Sequence, residues 1–537
     1  MTALKVLSDV DIPIGDGLTA PADIYRPDDG DQHPVLLART PYSRALANLG
    51  LFNPLRAARR GYVVVIQDCR GRFGAPGEFR PFECEAVDGA AAIEWCARQP
   101  WSDGRVGMWG ASYVGATQLL AATVGTDALV AIAPSFTPTS YRNGWLLEHD
   151  AVQQHFLQTW AVSVGTTMRG ATREARRSLG MFGRDPNDFL RPLAEAFDEA
   201  AASAVPHYRD WLNRRDDASY WNALDIDRTY GSLNVAGLHI GGWYDAFLEG
   251  TLANFIGLSS DGPRAQVSRA QRLVVGPWEH TVIESVVGEI DFGPSASALG
   301  VDLAGRQLRF FDAVMAGTEP DQPPVQLFVM GANVWIDLPA WPPPTTNRTW
   351  HPAGRSPQSV RGDGRLSPAA GPDREWTLLF DPRRPVPSVG GRLVAPGSRI
   401  AGPRDQKVVE VRDDVLVFTS EQFAEPLTVI GEVRAKIEAA STASSYDLVV
   451  KLTDVHPDGR SFNVVDGVQR IQGTDSALTT VCVGSTAHQF RPGHRMRLQI
   501  AASNHPRLDL SGTAQSLTTI GSAGTRLILP VLEGELA

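Results

Sequence analysis

Apolar positions along the chain fall into three regimes. In the first, short unbroken apolar runs alternate with segments of helical period. "PVLLART" (Pro34–Thr40), "GYVVVIQDCRG" (Gly61–Gly71), "GRVGMWG" (Gly104–Gly110) and "ALVAIAPS" (Ala128–Ser135) are the runs. They lack polar alternation, as expected of parallel strands covered on both faces. Between them, "RALANLGLFNPLRAARR" (Arg44–Arg60) and "EAVDGAAAIEWCARQP" (Glu85–Pro100) have helical spacing, the second stopping before its proline. This alternation predicts βα units and an open parallel α/β sheet over 1–140.

From 141 to 235 the strand-like runs disappear. "GWLLEHDAVQQHFLQTWAVSVGT" (Gly144–Thr166) and "DFLRPLAEAFDEAAASA" (Asp188–Ala204) predict a helical insertion. Strand-like runs return with "AGLHIGGWYD" (Ala236–Asp245) and "QRLVVGPWEH" (Gln271–His280), so 236–349 reads as the second part of the α/β unit. A Pro/Gly/Ser-rich stretch, His351–Trp376, then predicts a linker or long loops. Beyond it, short runs such as "YDLVVKLTDV" (Tyr446–Val455) and "RMRLQIAAS" (Arg495–Ser503) alternate with turns such as "PDG" and "RPGH". This regime, 350–537, predicts an all-β sandwich or jelly roll.

Composition adds mainly exclusions. The chain has 537 residues, 43% hydrophobic and 20% charged, with a net charge of -10. That is an ordinary globular balance, and without a clustered basic face it argues against nucleic acid. No run approaches the ~18 apolar residues of a membrane span, and "MTALKVLSDVDIPIGDG" lacks the apolar core of a signal peptide. Four scattered cysteines form no CxxC pair and read as free buried thiols, which makes a reducing cytoplasm the expectation. No HExxH motif or carboxylate cluster points to a catalytic metal. "GRFGAPG" (Gly71–Gly77) fits neither a dinucleotide fingerprint nor a P-loop and reads as a turn.

The chemistry centres on "VGMWGASYVGATQ" (Val106–Gln118). A strand, a turn of small residues carrying Ser112, and a helix is the context of a nucleophile elbow. Val114 occupies the place of the second glycine of G-x-S-x-G, and Gly115 follows it. Taken alone, in a chain with 51 glycines, the motif reads first as a plain strand–helix turn. A serine hydroxyl also needs a base, and the base an orienting acid. Two later apolar runs end on such residues, Asp245 and His280, in the Ser–Asp–His order of α/β hydrolases. Each alone could be a helix cap or a loop residue. Together they point to nucleophilic catalysis at the carboxyl edge of the sheet.

These segments, with "RTPYSR" (Arg39–Arg44), "QDCRGRFGAPGEF" (Gln67–Phe79), "GGWYDAF" (Gly241–Phe247), "GPWEH" (Gly276–His280) and "DQKVVEVRDDVLVFTSE" (Asp405–Glu421), resemble the CocE/NonD family of serine hydrolases. The matches run through nearly the whole chain, and S-Y-x-G is the family's own elbow. The resemblance implies an α/β-hydrolase core, an inserted helical cap and a C-terminal jelly roll. It implies Ser112 as nucleophile, Asp245 as orienting acid and His280 as general base. It implies an oxyanion hole from the Tyr42 hydroxyl and the Tyr113 backbone N–H. Trp145, Trp160 and Phe247 match an aromatic acyl pocket, and the loop Gly390–Arg399 would close on it. Phe247 and Leu248 stand where the related α-amino-acid ester hydrolases carry acids that hold an ammonium group. The expectation is therefore an esterase for apolar or aromatic acyl groups, needing no cofactor, with a small ester or amide as its partner. A glutaryl-cephalosporin-type amidase, an X-prolyl dipeptidyl peptidase and a carbohydrate-binding protein are the alternatives. A homodimer stays open.

Overall fold

The computed structural model describes residues 3–47, 52–168, 170–181, 197, 199–261, 265–394, 400–534 and 536. Its first unit is a ten-stranded sheet. The apolar runs Val63–Asp68, His33–Thr40, Ser102–Ala111, Leu129–Ser135, Ala236–Tyr244, Arg272–Glu279 and Val325–Val329 lie side by side in that order, all parallel. Antiparallel strands flank them: Leu4–Pro13 and Thr19–Pro27 at one edge, Val334–Leu338 at the other. Every residue of Val63–Asp68, Ala236–Tyr244 and Arg272–Glu279 is buried, which explains their lack of polar alternation.

Strand order reverses between His33–Thr40 and Ser102–Ala111. The chain first crosses to one side of His33–Thr40 and then returns to the other. Loops leaving the carboxyl ends of these two strands therefore diverge and leave a crevice, the usual ligand site of an open α/β sheet.

The chain leaves the sheet after Ser135 and rejoins it at Ala236. The intervening cap contains helices Gln154–Thr166, Arg173–Met181, Glu199–Ala204, Pro206–Asn213 and Ala218–Asn222. Two short strands, Leu147–Glu148 and Ala151–Val152, add a small hairpin that the helical reading omitted. Of the helix expected over 188–204, residues 188–196 and 198 lie outside the described residues. "RALANLGLFNPLRAARR" yields two short helices, Arg44–Ala47 and Pro54–Arg59, with 48–51 outside the described residues. Asn53 caps the second, its side chain accepting from the Arg56 N–H at 3.1 Å.

The C-terminal unit is all-β. Its sheet runs from Ser461–Gln472 and Ser445–Val455 to Leu427–Ser441 and Ala477–Phe490, with Glu375–Phe380 pairing off the path. Leu427–Ser441 buries alternate residues along most of its length, as one covered face requires. One expectation needs correction. The strand Thr346–Ala353 pairs with Ser516–Val531, so the β unit begins before the expected boundary at 350. The Pro/Gly/Ser-rich stretch after it takes the second of its two expected forms, long loops rather than a linker. Trp350 and Trp376 are buried, and Asp363 accepts the Arg355 and Ser356 N–H groups at 2.9 and 2.8 Å. Turn residues here build a packed loop, which composition alone cannot separate from a tether. One apolar core, including Trp243, Phe328 and Val429, runs through both units, and Met330 bridges His488 across the seam.

Candidate active site

Ser112 ends the Ser102–Ala111 strand and caps the helix Tyr113–Ala122 with φ 61° and ψ −126°. A non-glycine residue there carries strain of about 1–3 kcal/mol. The Ser112 N–H donates to Ser135 O at 2.8 Å, while Ser112 O accepts from the Gly115 and Ala116 N–H groups. The glycines explain the local sequence. A Cβ on Gly110 would lie 2.2 Å from Val114 Cγ1, and one on Gly115 would lie 2.9 Å from Thr137 Cβ. Val114 thus packs over Gly110. A side chain is tolerated at 114 because the close approach to the neighbouring strand falls on Gly115.

Three further strands deliver side chains to the same edge. Tyr42 follows His33–Thr40, Asp245 follows Ala236–Tyr244, and His280 follows Arg272–Glu279. His280 Nε2 lies 3.0 Å from Ser112 Oγ, and its Nδ1 lies 2.7 Å from Asp245 Oδ1. Asp245 is fully buried, and its other oxygen has no hydrogen-bond partner among the described residues. The imidazole is held between Phe247 and Phe136, both edge-on, at 5.1 and 6.3 Å between ring centroids.

Tyr42 stands beside the serine. Burial raises its pKa, against hydrogen bonds to Trp160 and Ser112, so the phenol stays protonated well beyond neutral pH. Trp160 Nε1–H donates to the Tyr42 oxygen at 3.0 Å. With one lone pair so engaged, the phenol's single proton remains for an acceptor near Ser112. Arg72, also buried, donates to neutral groups, Pro41 O at 2.8 Å and Thr167 Oγ1 at 2.7 Å. Its charge therefore has no carboxylate in these contacts and adds positive potential beside Tyr42.

Tyr113 begins the helix, so its backbone N–H has no acceptor within the helix. Its side chain points into the core. The phenol donates to Glu85 Oε1 at 2.8 Å and accepts from the Phe82 N–H at 2.9 Å. Glu85 is in turn paired with the fully buried Arg39 at 2.6 Å. This chain of contacts fixes the residue after the serine, and the sequence reading did not find it.

The three aromatic residues singled out from the sequence come together. Trp145 stacks on Phe247 (5.2 Å, 4° between planes) and meets Trp160 edge-on at 5.2 Å. Trp145 has no exposed surface, so it backs Phe247, while Phe247 and Trp160 contact His280 and Tyr42. The sequence reading missed Phe156 and Trp211, which pack on Trp145 at 4.7 and 6.5 Å. Phe156 was findable, because it lies one helical turn before Trp160. Of the loop Gly390–Arg399, Val394 joins this aromatic core and its carbonyl accepts from Thr159. Residues 395–399 lie outside the described residues. A cavity of about 420 Å³ opens behind Phe247, between Glu148, Gln153 and Arg392, and Ser112 does not line it.

A parallel α/β sheet with a serine on a strained elbow, hydrogen-bonded through a histidine to a buried aspartate, defines a serine hydrolase. The chain is 33% identical to the cocaine esterase of Rhodococcus sp. (strain MB1 Bresler), over 94% of this chain and 92% of that one. It belongs to the CocE/NonD family of serine hydrolases. The family model for X-Pro dipeptidyl-peptidase (S15 family) matches residues 16–282, and that for the X-Pro dipeptidyl-peptidase C-terminal non-catalytic domain matches residues 317–523. Among solved structures, an α-amino acid ester hydrolase superposes with a TM-score of 0.81 at 23% identity, covering 99% of this chain and 97% of that one. A CocE/NonD family hydrolase from Staphylococcus aureus superposes with a TM-score of 0.70 at 14% identity, covering 99% and 94%. These likenesses extend over the hydrolase core, the cap and the β domain. No helix among the described residues is long and apolar enough to cross a membrane.

Proposed function

We propose that the protein is a carboxylesterase for apolar or aromatic acyl groups, acting through an acyl-enzyme on Ser112. The observation that carries the reading is the hydrogen-bonded line Ser112–His280–Asp245 with the protonated Tyr42 beside its serine end. In the first step His280 Nε2 takes the Ser112 proton as Oγ attacks the ester carbonyl. The developing oxyanion accepts from the Tyr42 hydroxyl and the Tyr113 N–H. Collapse of the tetrahedral intermediate breaks the ester bond, and His280 returns its proton to the leaving alkoxide. A water activated by the same imidazole then frees the acid.

Phe247 and Trp160 form the apolar wall for the acyl group, with Trp145 behind them. Both positions after Ala246 are buried and apolar, Phe247 and Leu248, so neither supplies a carboxylate for a substrate ammonium. That favours an ester over the N-terminal amine of a dipeptidyl substrate. The next residue, Glu249, is committed elsewhere, accepting from the Ser485 N–H and hydroxyl at 2.7 and 2.9 Å. Four free cysteines support a reducing, cytoplasmic setting, although Cys84 and Cys482 are only half-buried.

The test is a panel of p-nitrophenyl esters and anilides of varied acyl groups. Benzoyl esters are expected to outpace acetyl esters and all anilides in kcat/KM. Phe247→Ala should cut the benzoyl preference by about three- to ten-fold, the worth of one aromatic contact. Faster anilide than ester cleavage would move the reading to an amidase. Separately, Tyr42→Phe is expected to lower kcat by about 10²–10³, the cost of one oxyanion donor. Stopped-flow acylation rates check it, and an unchanged rate would remove Tyr42 from the oxyanion hole.

A further inference from the structure

We propose that Asp454, His456 and His494 bind one divalent transition-metal cation of the zinc type, at the seam between the hydrolase sheet and the β domain. Register brings the three together. In the antiparallel pair Ser445–Val455 and Arg495–Ala501, Val455 faces Arg495 and Asp454 faces Met496. Extending that register by one residue sets His456 opposite His494, where the two strands emerge from their turns. Their rings lie 4.5 Å apart between centroids.

The donor atoms are spaced as a metal would need them. Asp454 Oδ1 lies 2.9 Å from His494 Nδ1, and Asp454 Oδ2 lies 3.8 Å from His456 Nε2. One donor atom from each of the three residues falls within 4.8 Å of the others. Zinc with bonds of about 2.0–2.1 Å places tetrahedral ligand atoms about 3.3 Å apart, and the two histidine nitrogens approach different oxygens of the one carboxylate at distances on either side of that value. A hydrogen bond accounts for His494 but not for His456, because 3.8 Å exceeds hydrogen-bonding distance. His488 Nε2, 3.1 Å from Asp454 Oδ2, holds the carboxylate from outside the set.

Space is available for the remaining coordination positions. A cavity of about 330 Å³ is lined by all three residues and, from the hydrolase side, by Asp291, Met330 and Tyr244. The Tyr244 hydroxyl donates to Asn463 O across the seam at 3.1 Å, one residue before Asp245. A cation here would tie the two β turns together beneath that contact. Its role is structural, because none of its ligands touches Ser112, His280 or Asp245 among the described residues.

The test uses the full chain, stripped with a chelator and titrated with zinc chloride in a calorimeter. One equivalent should bind, and His456→Ala and His494→Ala should each weaken it by at least about ten-fold. Esterase activity retained in both variants would establish that they fold. If either variant fails to fold, cobalt(II) added to the stripped wild type gives the answer, since bound cobalt should show the intense visible bands of a tetrahedral site. Absence of stoichiometric zinc binding, absence of those bands, or wild-type affinity in both folded variants would overturn the site. Zinc that instead settles on His280 would appear as inhibition that persists in both variants, which also overturns it.

Discussion

Ser112→Ala is expected to abolish ester turnover, with a loss in kcat on the order of 10⁶. The size follows from the geometry. Ser112 Oγ is the atom held 3.0 Å from His280 Nε2, so its removal takes away both the nucleophile and the proton that the base accepts. The oxyanion donors remain and sustain only a small residual rate over water. The fold should persist, because the backbone bonds of Ser112 to Ser135 O and from the Gly115 and Ala116 N–H groups are untouched by the substitution. Two measurements check this: steady-state hydrolysis of a p-nitrophenyl ester, and labelling by a fluorophosphonate. Turnover or labelling at the wild-type rate would end the acyl-enzyme reading and leave the fold serving some other chemistry.

Asp245→Asn carries the second large effect, a fall in kcat of about 10⁴ with little change in KM. Asp245 Oδ1 accepts from His280 Nδ1 at 2.7 Å, and the carboxylate is sealed from water. A carboxylate only accepts, so it requires the proton on Nδ1 and leaves Nε2 free as the base. An asparagine amide can donate to Nδ1 instead. The tautomer then reverses, and Nε2–H faces Ser112 with no lone pair to take its proton. Aspartate and asparagine have nearly the same shape, and the change removes a buried charge with one oxygen unpartnered. The melting temperature should therefore not fall. A fall in activity matched by a fall in melting temperature would assign Asp245 a role in packing rather than in orienting the base.

The hydrogen-bonded line Ser112–His280–Asp245 was legible because each member ends an apolar run. Ser112, Asp245 and His280 follow segments too apolar to lie anywhere but in a covered sheet, and consecutive parallel strands expose their carboxyl ends at one edge. Trp145, Trp160 and Phe247 became candidates only through the family resemblance, and Trp145 backs the site without surface of its own. The Trp160–Tyr42 hydrogen bond and the Tyr113–Glu85–Arg39 chain had no local signal, since their members come from different loops and helices. The boundary at 350 was misplaced for a related reason. Turn-forming residues after Ala353 fit a linker or long loops equally well, and only the burial of Trp350 and Trp376 at either end decides for packed loops.

Periodicity and turn chemistry are local properties. By itself the sequence therefore determined the parallel sheet, the helical insertion, the β domain and the residues at the strand ends. Tertiary structure decided which of those ends face one another, which tyrosine proton is left to donate, and which histidines converge on Asp454. Those outcomes depend on strand order, cross-strand register and the approach of distant loops, and the ordering of side chains along a chain carries no record of such distances.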